Sequence, residues 1–283
     1  MAYLAPSEFV TKMVDAGEAK IFMSTRDTLI RACMAGALLA LAAVFAVSVS
    51  VQSGSPLIGA LLFPVGFCML YLLGFDLVTG VFMLCPLALI DRRPGVTGGG
   101  VLRTWGLVFL GNFVGALAVA FMMAFVFTYG FTADPGPVGE KLAGIGVART
   151  LGYASHGVGG WFTIFVRGML CNWMVCTGVV GAMISTHVSG KVIAMWMPIL
   201  VFFFMTFEHS VVNMFLFPTA LLMHGKFSIA DYFIWNEIPT LLGNMVGGIT
   251  FTGAALYSTH LRTAPSRSAV GRPIAALRQS AEA

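Results

Sequence analysis

The chain has 283 residues, of which 58% are hydrophobic and only 10% are charged. Soluble domains average about 25% charged residues, and a soluble fold of this length could not hide so much apolar surface from water. The composition therefore excludes an ordinary soluble domain and predicts a membrane protein. Sixteen basic and twelve acidic residues leave a net charge of +4, too small and too scattered to indicate nucleic acid binding.

Five cysteines lie inside apolar runs, their number is odd, and no two of them form a CxxC pair. We interpret them as small buried hydrophobic residues, so neither a disulfide framework, nor a metal site, nor a cofactor is expected. The amino terminus lacks a short apolar core followed by a small-residue cleavage site, so no cleavable signal peptide is predicted.

The chain divides into three predicted regions. Residues 1–28 form an amphipathic cytoplasmic segment, residues 29–261 a transmembrane pore domain, and residues 262–283 a flexible cytoplasmic tail. In the first region the apolar residues recur at helical spacing, which favours a helix lying along the membrane surface. These apolar residues are Phe9, Val10, Met13 and Val14.

About 20 apolar residues are needed for a helix to cross a membrane, and six segments qualify. They are roughly 29–51, 57–90, 104–131, 157–184, 192–223 and 238–260. The second and fifth are too long for one straight span, and each carries polar residues near its middle. We therefore expect an all-α membrane protein with six transmembrane helices, of which the second and fifth are broken.

The basic residues predict the orientation. Twelve of the sixteen lie on the side of the membrane that holds the amino terminus, and Arg167 falls within a span. The other three are Lys141, Arg149 and Lys226. The positive-inside rule then places both termini in the cytoplasm and the longest loop, about 132–156, outside.

The two halves of the chain match each other at a constant separation, 132 positions between Gly111 and Gly243. The matches are 111–115 (GNFVG) with 243–247 (GNMVG), 84–89 (LCPLAL) with 216–221 (LFPTAL), and Asp76 with Glu208. They predict an internal repeat of three spans, and an odd number of spans inserts the second repeat upside down. Broken helices in inverted repeats are typical of transporters and channels that bind solute near the membrane midplane.

At these breaks the chain resembles the formate/nitrite transporter family. The stretches that carry the resemblance are 74–79 (GFDLVT), 167–176 (RGMLCNWMVC), 207–214 (FEHSVVNM) and 243–248 (GNMVGG). The Glu-His-Ser-x-x-Asn-Met stretch is the most specific, and the resemblance covers about residues 8–261.

The resemblance implies an aquaporin-like protomer, five of which form a ring in a bacterial inner membrane, each with its own pore. Family members move formate, nitrite, hydrosulfide, lactate or related weak-acid anions, often with a proton. The expected function is therefore pH-dependent, proton-linked transport of a small monovalent anion, formate or nitrite first. The expected partners are these anions, protons, membrane lipid and four further copies of the chain.

In the family the loop of the second span and the histidine of the fifth span meet at the pore centre. By position, the central polar residues here are His209, Thr79 and Asn213, with Asn172 nearby on the fourth span. The residues at constriction or lining positions are Phe63, Phe67, Leu77, Val78, Val175 and Phe202.

His209 is expected to take a proton and pass it to the arriving anion. Asp76 is expected to be structural, because a carboxylate in an anion path would repel the solute. Glu208 fits two roles equally, capping or orienting its neighbours and taking part in transport. Asn172 fits solute binding and helix pairing equally, and Arg167 fits a subunit contact, a carboxylate partner or a substrate site.

One departure from the family pattern lies at the outer mouth. Many members carry a lysine sixteen residues before the asparagine of the fourth span, where this chain has His156. A lysine is charged at any ordinary pH, whereas an unperturbed histidine side chain titrates near pH 6.5. We therefore expect this vestibule to capture anions more strongly as the pH falls.

Three other classes of protein remain as alternatives. An aquaporin-like channel for neutral solutes would conduct water or glycerol without anions. A membrane enzyme or cytochrome subunit would need a catalytic motif or facing histidine pairs, and the sequence offers neither. A non-transporting scaffold would gain nothing from polar breaks at membrane depth.

Overall fold

The computed structural model describes residues 3–262, most of which are helical. The tail predicted for 262–283 therefore lies outside the described residues except for Arg262. Within 3–262 the only extended pairing is an isolated bridge between Tyr3 and Ser185. The all-α fold class is confirmed for this part of the chain.

Short connections join the helices. In chain order they are α1 (Pro6–Phe22), α2 (Thr25–Ser53), α3 (Pro56–Leu62), α4 (Pro64–Leu72), α5 (Val78–Ile90), α6 (Gly98–Phe127), α7 (Gly136–Ala148), α8 (Leu151–Ala154), α9 (Gly157–Ile184), α10 (Val188–Phe204) and α11 (Ser210–Leu222). A last continuous helical stretch, 229–262, alternates α-helical turns with π-helical ones. Its π-helical parts are Phe233–Glu237, Gly247–Ala254 and Ser258–Arg262.

Three helices are each long and apolar enough to cross a membrane, namely α2, α6 and α9. Shorter apolar helices surround them, and four such stretches are Pro56–Leu72, Val78–Ile90, Val188–Phe204 and Ser210–Leu222. Large apolar side chains on the long helices stay exposed, for example Phe45, Phe121 and Phe162. This distribution fits a protein whose outer surface faces lipid.

Each predicted break falls between two helices, and each upstream helix ends in the same way. Gly74 (φ 73°) and Thr206 (φ 53°) adopt the left-handed conformation. The backbone N–H of the next residue then reaches back to a carbonyl five positions earlier, from Phe75 to Leu70 at 2.9 Å and equivalently at the second break. This is a Schellman cap. The two caps are 132 positions apart, like the sequence matches.

The helices that follow the two breaks, α5 and α11, also end in the same way as each other. Arg92 (φ 57°) follows α5, and His224 (φ 64°) follows α11 at the same separation. Both positions are left-handed although neither is a glycine. The repeated sequence motifs are thus accompanied by repeated backbone conformations.

Glycines of the GNFVG and GNMVG motifs allow pairs of helices to approach closely. A Cβ atom on Gly115 would lie 1.9 Å from the carbonyl oxygen of Cys33 on α2, and one on Gly247 would lie 2.2 Å from the carbonyl oxygen of Met169 on α9. Neither backbone could accommodate a side chain without moving. Small residues at helix contacts serve the same purpose in many membrane proteins.

The amino-terminal helix covers one end of the bundle. Its predicted apolar face is buried, and Gly17 of α1 packs directly on the backbone of Leu84 in α5. The four predicted residues Phe9, Val10, Met13 and Val14 share one apolar cluster with Met83, Leu84 and Leu87. The apolar face of α1 is therefore covered by protein.

The segment predicted as a long loop, 132–156, contains the two helices α7 and α8. Leu142 of α7 is fully buried, and Gly146 packs against Ala220 and Phe227. Packing on α11 thus accompanies helical structure in a segment that was predicted as the longest loop. This matters for function because α7 ends beside Arg149.

The glycine contacts predict a stability difference within one helix. Replacing Gly115 with alanine is expected to lower the free energy of unfolding by about 1–3 kcal/mol, because the new methyl group would overlap the α2 backbone. Gly106→Ala in the same helix is the matched control, since no atom lies within 4 Å of a Cβ there. The measurement is thermal unfolding in detergent, and equal melting temperatures for the two variants would contradict the expectation.

Candidate functional site

The first break, residues 73–77, leaves backbone groups without helical partners, and Asn112 on α6 provides replacements. Its Nδ2 donates to the carbonyl oxygen of Asp76 at 2.9 Å and to that of Ala32 at 2.8 Å. Its Oδ1 accepts from the backbone N–H of Val78 at 2.8 Å. One buried amide side chain thus completes the break and ties it to α2.

Asn244 does the same for the second break, residues 205–209. Its Nδ2 donates to the carbonyl oxygens of Glu208 at 2.9 Å and Gly168 at 2.8 Å. Its Oδ1 accepts from the backbone N–H of Ser210 at 2.9 Å. Asn112 and Asn244 are the asparagines of the two repeated motifs, so the sequence repeat corresponds to a repeated brace.

Asn172 of α9 connects the two halves. Its Nδ2 donates to the carbonyl oxygens of Thr79 at 3.1 Å and Asn244 at 2.6 Å. Both amide hydrogens are therefore used on the backbone. In this arrangement Asn172 acts as a brace, and solute binding by it stays a prediction.

His209 lies at the end of the second break and caps α11. Its Nδ1 accepts from the backbone N–H of Val212 at 3.3 Å, so the hydrogen of the neutral ring belongs on Nε2. Nε2 lies 3.4 Å from Oγ1 of Thr79, which belongs to the first turn of α5. The two breaks therefore meet at a buried pair formed by an imidazole and a hydroxyl group.

Aromatic rings enclose this pair. The ring of Phe202 stacks on the His209 ring with centroids 5.6 Å apart, and Phe67 meets His209 edge-on at the same separation. Phe63 contacts both phenylalanines, with centroid separations of 6.2 and 5.7 Å. All three phenylalanines are buried. Apolar rings thus enclose the pair formed by His209 and Thr79.

Two cavities are each lined by one member of this pair, and a third shares lining residues with one of them. The α1-side cavity, about 170 Å³, is lined by Lys20 of α1 and by Thr79. The middle cavity, about 40 Å³, is lined by Phe202 and His209. The α7-side cavity is the largest of the three at about 620 Å³, and Arg149 lines both it and the middle cavity.

The predicted lining residues divide among these cavities. Phe67, Leu77, Thr79 and Val175 line the α1-side cavity together with Asp76. Phe202 and His209 line the middle cavity, and His156 lines the α7-side cavity. The remaining predicted residues are buried beside the site without lining any of the three cavities; they are Phe63, Val78, Asn172, Asn213 and Glu208.

The acidic residue of each break pairs with a basic residue from a covering segment. Asp76 forms an ion pair with Lys20 of α1. Glu208 forms one with Arg149, which directly follows α7, at 3.6 Å. A buried carboxylate needs such partners at membrane depth.

Asn213 belongs to the same polar group as Glu208. Its Nδ2 donates to Oε2 of Glu208 at 3.0 Å and to Oδ1 of Asn236 at 2.6 Å. Both amide hydrogens of Asn213 are thus used within the protein. The predicted place of Asn213 among the central polar residues of the pore stays a prediction.

Sequence reasoning missed several members of this site. Arg149 and Lys20 were assigned only to sides of the membrane, and Glu237 was not singled out at all. The carboxylate of Glu237 is buried and accepts from the hydroxyl groups of Ser210 and Tyr232. The available signal was its position, since an acidic residue inside an apolar span indicates an internal partner.

Within residues 3–262, no three His, Cys, Asp or Glu side chains form a group that could hold a metal ion. The site consists of apolar walls around one imidazole and one hydroxyl group, with the guanidinium of Arg149 lining the cavity beside the imidazole. Such a site can guide a small solute. An apolar helical bundle built around it defines the class of polytopic membrane transport proteins.

Comparison with known proteins identifies the family. The family described as "Formate/nitrite transporter" matches residues 7–258. A "Probable formate transporter" of Methanothermobacter thermautotrophicus is 36% identical over 71% of this chain and 73% of its own length. "Uncharacterized transporter YrhG" of Bacillus subtilis is 33% identical over 94% of this chain and 97% of its own length.

The fold agrees with this family. A solved structure described as "Pentameric formate channel with formate bound" superposes with a TM-score of 0.70 at 23% identity, covering 84% of this chain and 98% of the other. The chain belongs to the formate/nitrite transporter family, whose members are membrane transporters and channels for anions and not enzymes.

The asparagine braces predict a loss of stability. Replacing Asn112 or Asn244 with leucine removes three buried hydrogen bonds at one break and is expected to cost about 2–4 kcal/mol of unfolding free energy. Thr177→Val is the control, because that exposed hydroxyl group bonds only within α9, to Trp173. The melting temperature in detergent reports the difference, and variants that melt with the control would rule out the bracing role.

Proposed function

We propose that the protein conducts small monovalent weak-acid anions, formate or nitrite first, across a bacterial inner membrane. The observation that carries this proposal is the buried contact between Thr79 and His209, which separates the α1-side cavity from the middle cavity. The family match supports it, as do the names of the relatives. The path would run from the α7-side cavity past Phe202 and His209 into the cavity beneath α1.

The membrane arrangement belongs to the same proposal. Six crossings would form two inverted repeats in an aquaporin-like protomer, with the second and fifth crossings interrupted at 73–77 and 205–209. The left-handed residues at Gly74 and Thr206, 132 positions apart, support equivalent halves. Inverted repeats of this kind place a solute site where the interrupted helices meet.

Topology and assembly follow from the charge distribution and the fold relative. Most basic residues would face the cytoplasm together with both termini, which orients the α1-side cavity inward. The predicted regions would then be a cytoplasmic segment (1–28), a pore domain (29–261) and a cytoplasmic tail (262–283). Five copies, each with its own pore, would form a ring, since the formate channel of similar fold is described as pentameric.

The apolar walls determine the mechanism. Moving a bare carboxylate-sized ion from water into an apolar interior costs several kcal/mol even after relaxation. A neutral acid avoids most of that cost. The Nε2–H of His209 points towards Thr79 at the centre of the path, where the imidazole could give a proton to the anion and recover one afterwards. Asp76 and Glu208 would remain structural and hold the two breaks.

The proposal predicts pH-dependent transport that requires His209. In liposomes, formate uptake is expected to rise as the external pH falls, by up to about tenfold per pH unit, because each anion that crosses would take one proton from outside through the imidazole of His209. His209→Ala is expected to remove most of this dependence. The measurement is uptake of labelled formate and of nitrite between pH 5 and pH 8.

His187→Ala is the matched control, because His187 is exposed and lines none of the three cavities. It is expected to transport like the unchanged protein. If His209→Ala keeps the full pH dependence, the proton relay is wrong. Water or glycerol flux without any anion flux would instead identify a channel for neutral solutes.

A further inference from the structure

The α7-side cavity carries a strong positive charge. Lys141, Arg149 and Arg167 line it together with His156, and none of its lining residues is acidic. The α1-side cavity differs, because its single lining lysine is paired with the single lining aspartate. An anion would therefore be attracted mainly into the α7-side cavity.

The two arginines, Arg167 and Arg149, differ in how far their hydrogen-bond donors are already used within the protein. The guanidinium of Arg167 donates to the hydroxyl oxygen of Tyr153 at 2.7 Å and to Oγ1 of Thr206 at 2.8 Å, and it also reaches the carbonyl oxygen of Met205 at 3.3 Å. These bonds fix Arg167 to the second break. Its charge contributes to the field, but its donors are largely used.

Arg149 lies where the α7-side cavity adjoins the middle cavity, a position called the neck below. It lines both the α7-side cavity and the middle cavity that reaches His209, and its side chain is 21% exposed. Its carbonyl oxygen accepts from Nδ2 of Asn236 at 3.1 Å, which fixes the backbone. The guanidinium is therefore presented to the path from an anchored position.

The partner of Arg149 holds it only loosely. Nη1 lies 3.6 Å from Oε2 of Glu208, beyond normal hydrogen-bond distance. Glu208 meanwhile accepts closer bonds from Asn213 at 3.0 Å, Asn236 at 3.3 Å and Tyr153 at 3.3 Å. The carboxylate would stay hydrogen-bonded if the guanidinium turned to another anion.

We propose that Arg149 is the anion-binding residue at the neck of the α7-side cavity, where its guanidinium takes a planar two-oxygen anion before that anion reaches His209. The inference rests on the proposed transport of small anions. A guanidinium matches a carboxylate or nitrite with two parallel hydrogen bonds, whereas a lysine acts as a point charge. Arg149 would thus favour monocarboxylates and nitrite over anions with one binding atom, such as hydrosulfide.

This assignment changes the expectation for the outer mouth. A guanidinium stays protonated at any ordinary pH. Capture by Arg149 therefore would not need the histidine at position 156 to be charged. Arg149, seven positions before His156 and closer to the neck, would then take over the anion capture expected at the usual lysine position.

The test compares formate with hydrosulfide for the full chain in liposomes at pH 8, using Arg149→Lys and Arg149→Gln. Arg149→Lys keeps the charge beside Glu208 but loses the paired bonds. It is expected to raise the half-saturating formate concentration about tenfold, the effect of one lost charge-assisted bond, and the hydrosulfide value less than about twofold. Arg149→Gln removes the charge and is expected to raise both values.

Lys226→Gln is the matched control, because it removes an exposed positive charge that lines none of the three cavities. It is expected to leave both values unchanged. Melting temperatures and size-exclusion profiles show whether each variant is folded, and the conservative lysine variant decides the case if the glutamine variant is unstable.

Two failures can be told apart. If the unchanged protein takes up none of the anions, the proposed function is wrong. If it transports formate and Arg149→Lys does so with the same half-saturating concentration, the assignment of Arg149 alone is overturned. An equal rise for formate and hydrosulfide in Arg149→Lys would likewise contradict the two-oxygen preference.

Discussion

Backbone hydrogen bonding in a solvent without water is the constraint on which this fold depends. A helix interrupted at membrane depth exposes N–H and C=O groups that lipid cannot satisfy. Asn112 and Asn244 meet that need at the two breaks. Each side chain bonds a carbonyl group inside the break, the first N–H group of the downstream helix and a carbonyl group of a neighbouring helix. Glycines in the same motifs let those helices come close enough for the bonds to form.

With both breaks fixed by hydrogen bonds, the residues at their ends determine the chemistry of the site. The first break delivers Thr79 and the second delivers His209, and Asn172 joins the two regions through backbone carbonyl groups. Polar groups that brace the structure are thus kept apart from the few that face the path. The acidic residues Asp76 and Glu208 are neutralised by cations from segments that cover the ends, so the centre stays open to a negatively charged solute.

Much of this could be predicted from the sequence, because repeat spacing, hydropathy and intramembrane polar residues are local signals. They indicated the helical class, the positions of both breaks and the place of His209 at the second break. The donors of Asn213 could not be assigned, since its partner Asn236 comes from a helix that only tertiary packing brings near. Arg149 was likewise placed in a loop, because the burial of α7 on α11 depends on contacts that periodicity does not reveal.

The left-handed residues at the two breaks show how the breaks differ. Gly74 adopts its conformation without cost, whereas Thr206 carries a side chain where the left-handed backbone disfavours one. The Thr206 hydroxyl group accepts a bond from Arg167, which also reaches the neighbouring carbonyl group. The first break thus relies on the conformational freedom of a glycine, and the second on hydrogen bonds from Arg167. The backbone at Gly74 is therefore independent of its neighbours, whereas the backbone at Thr206 depends on a side chain from another helix.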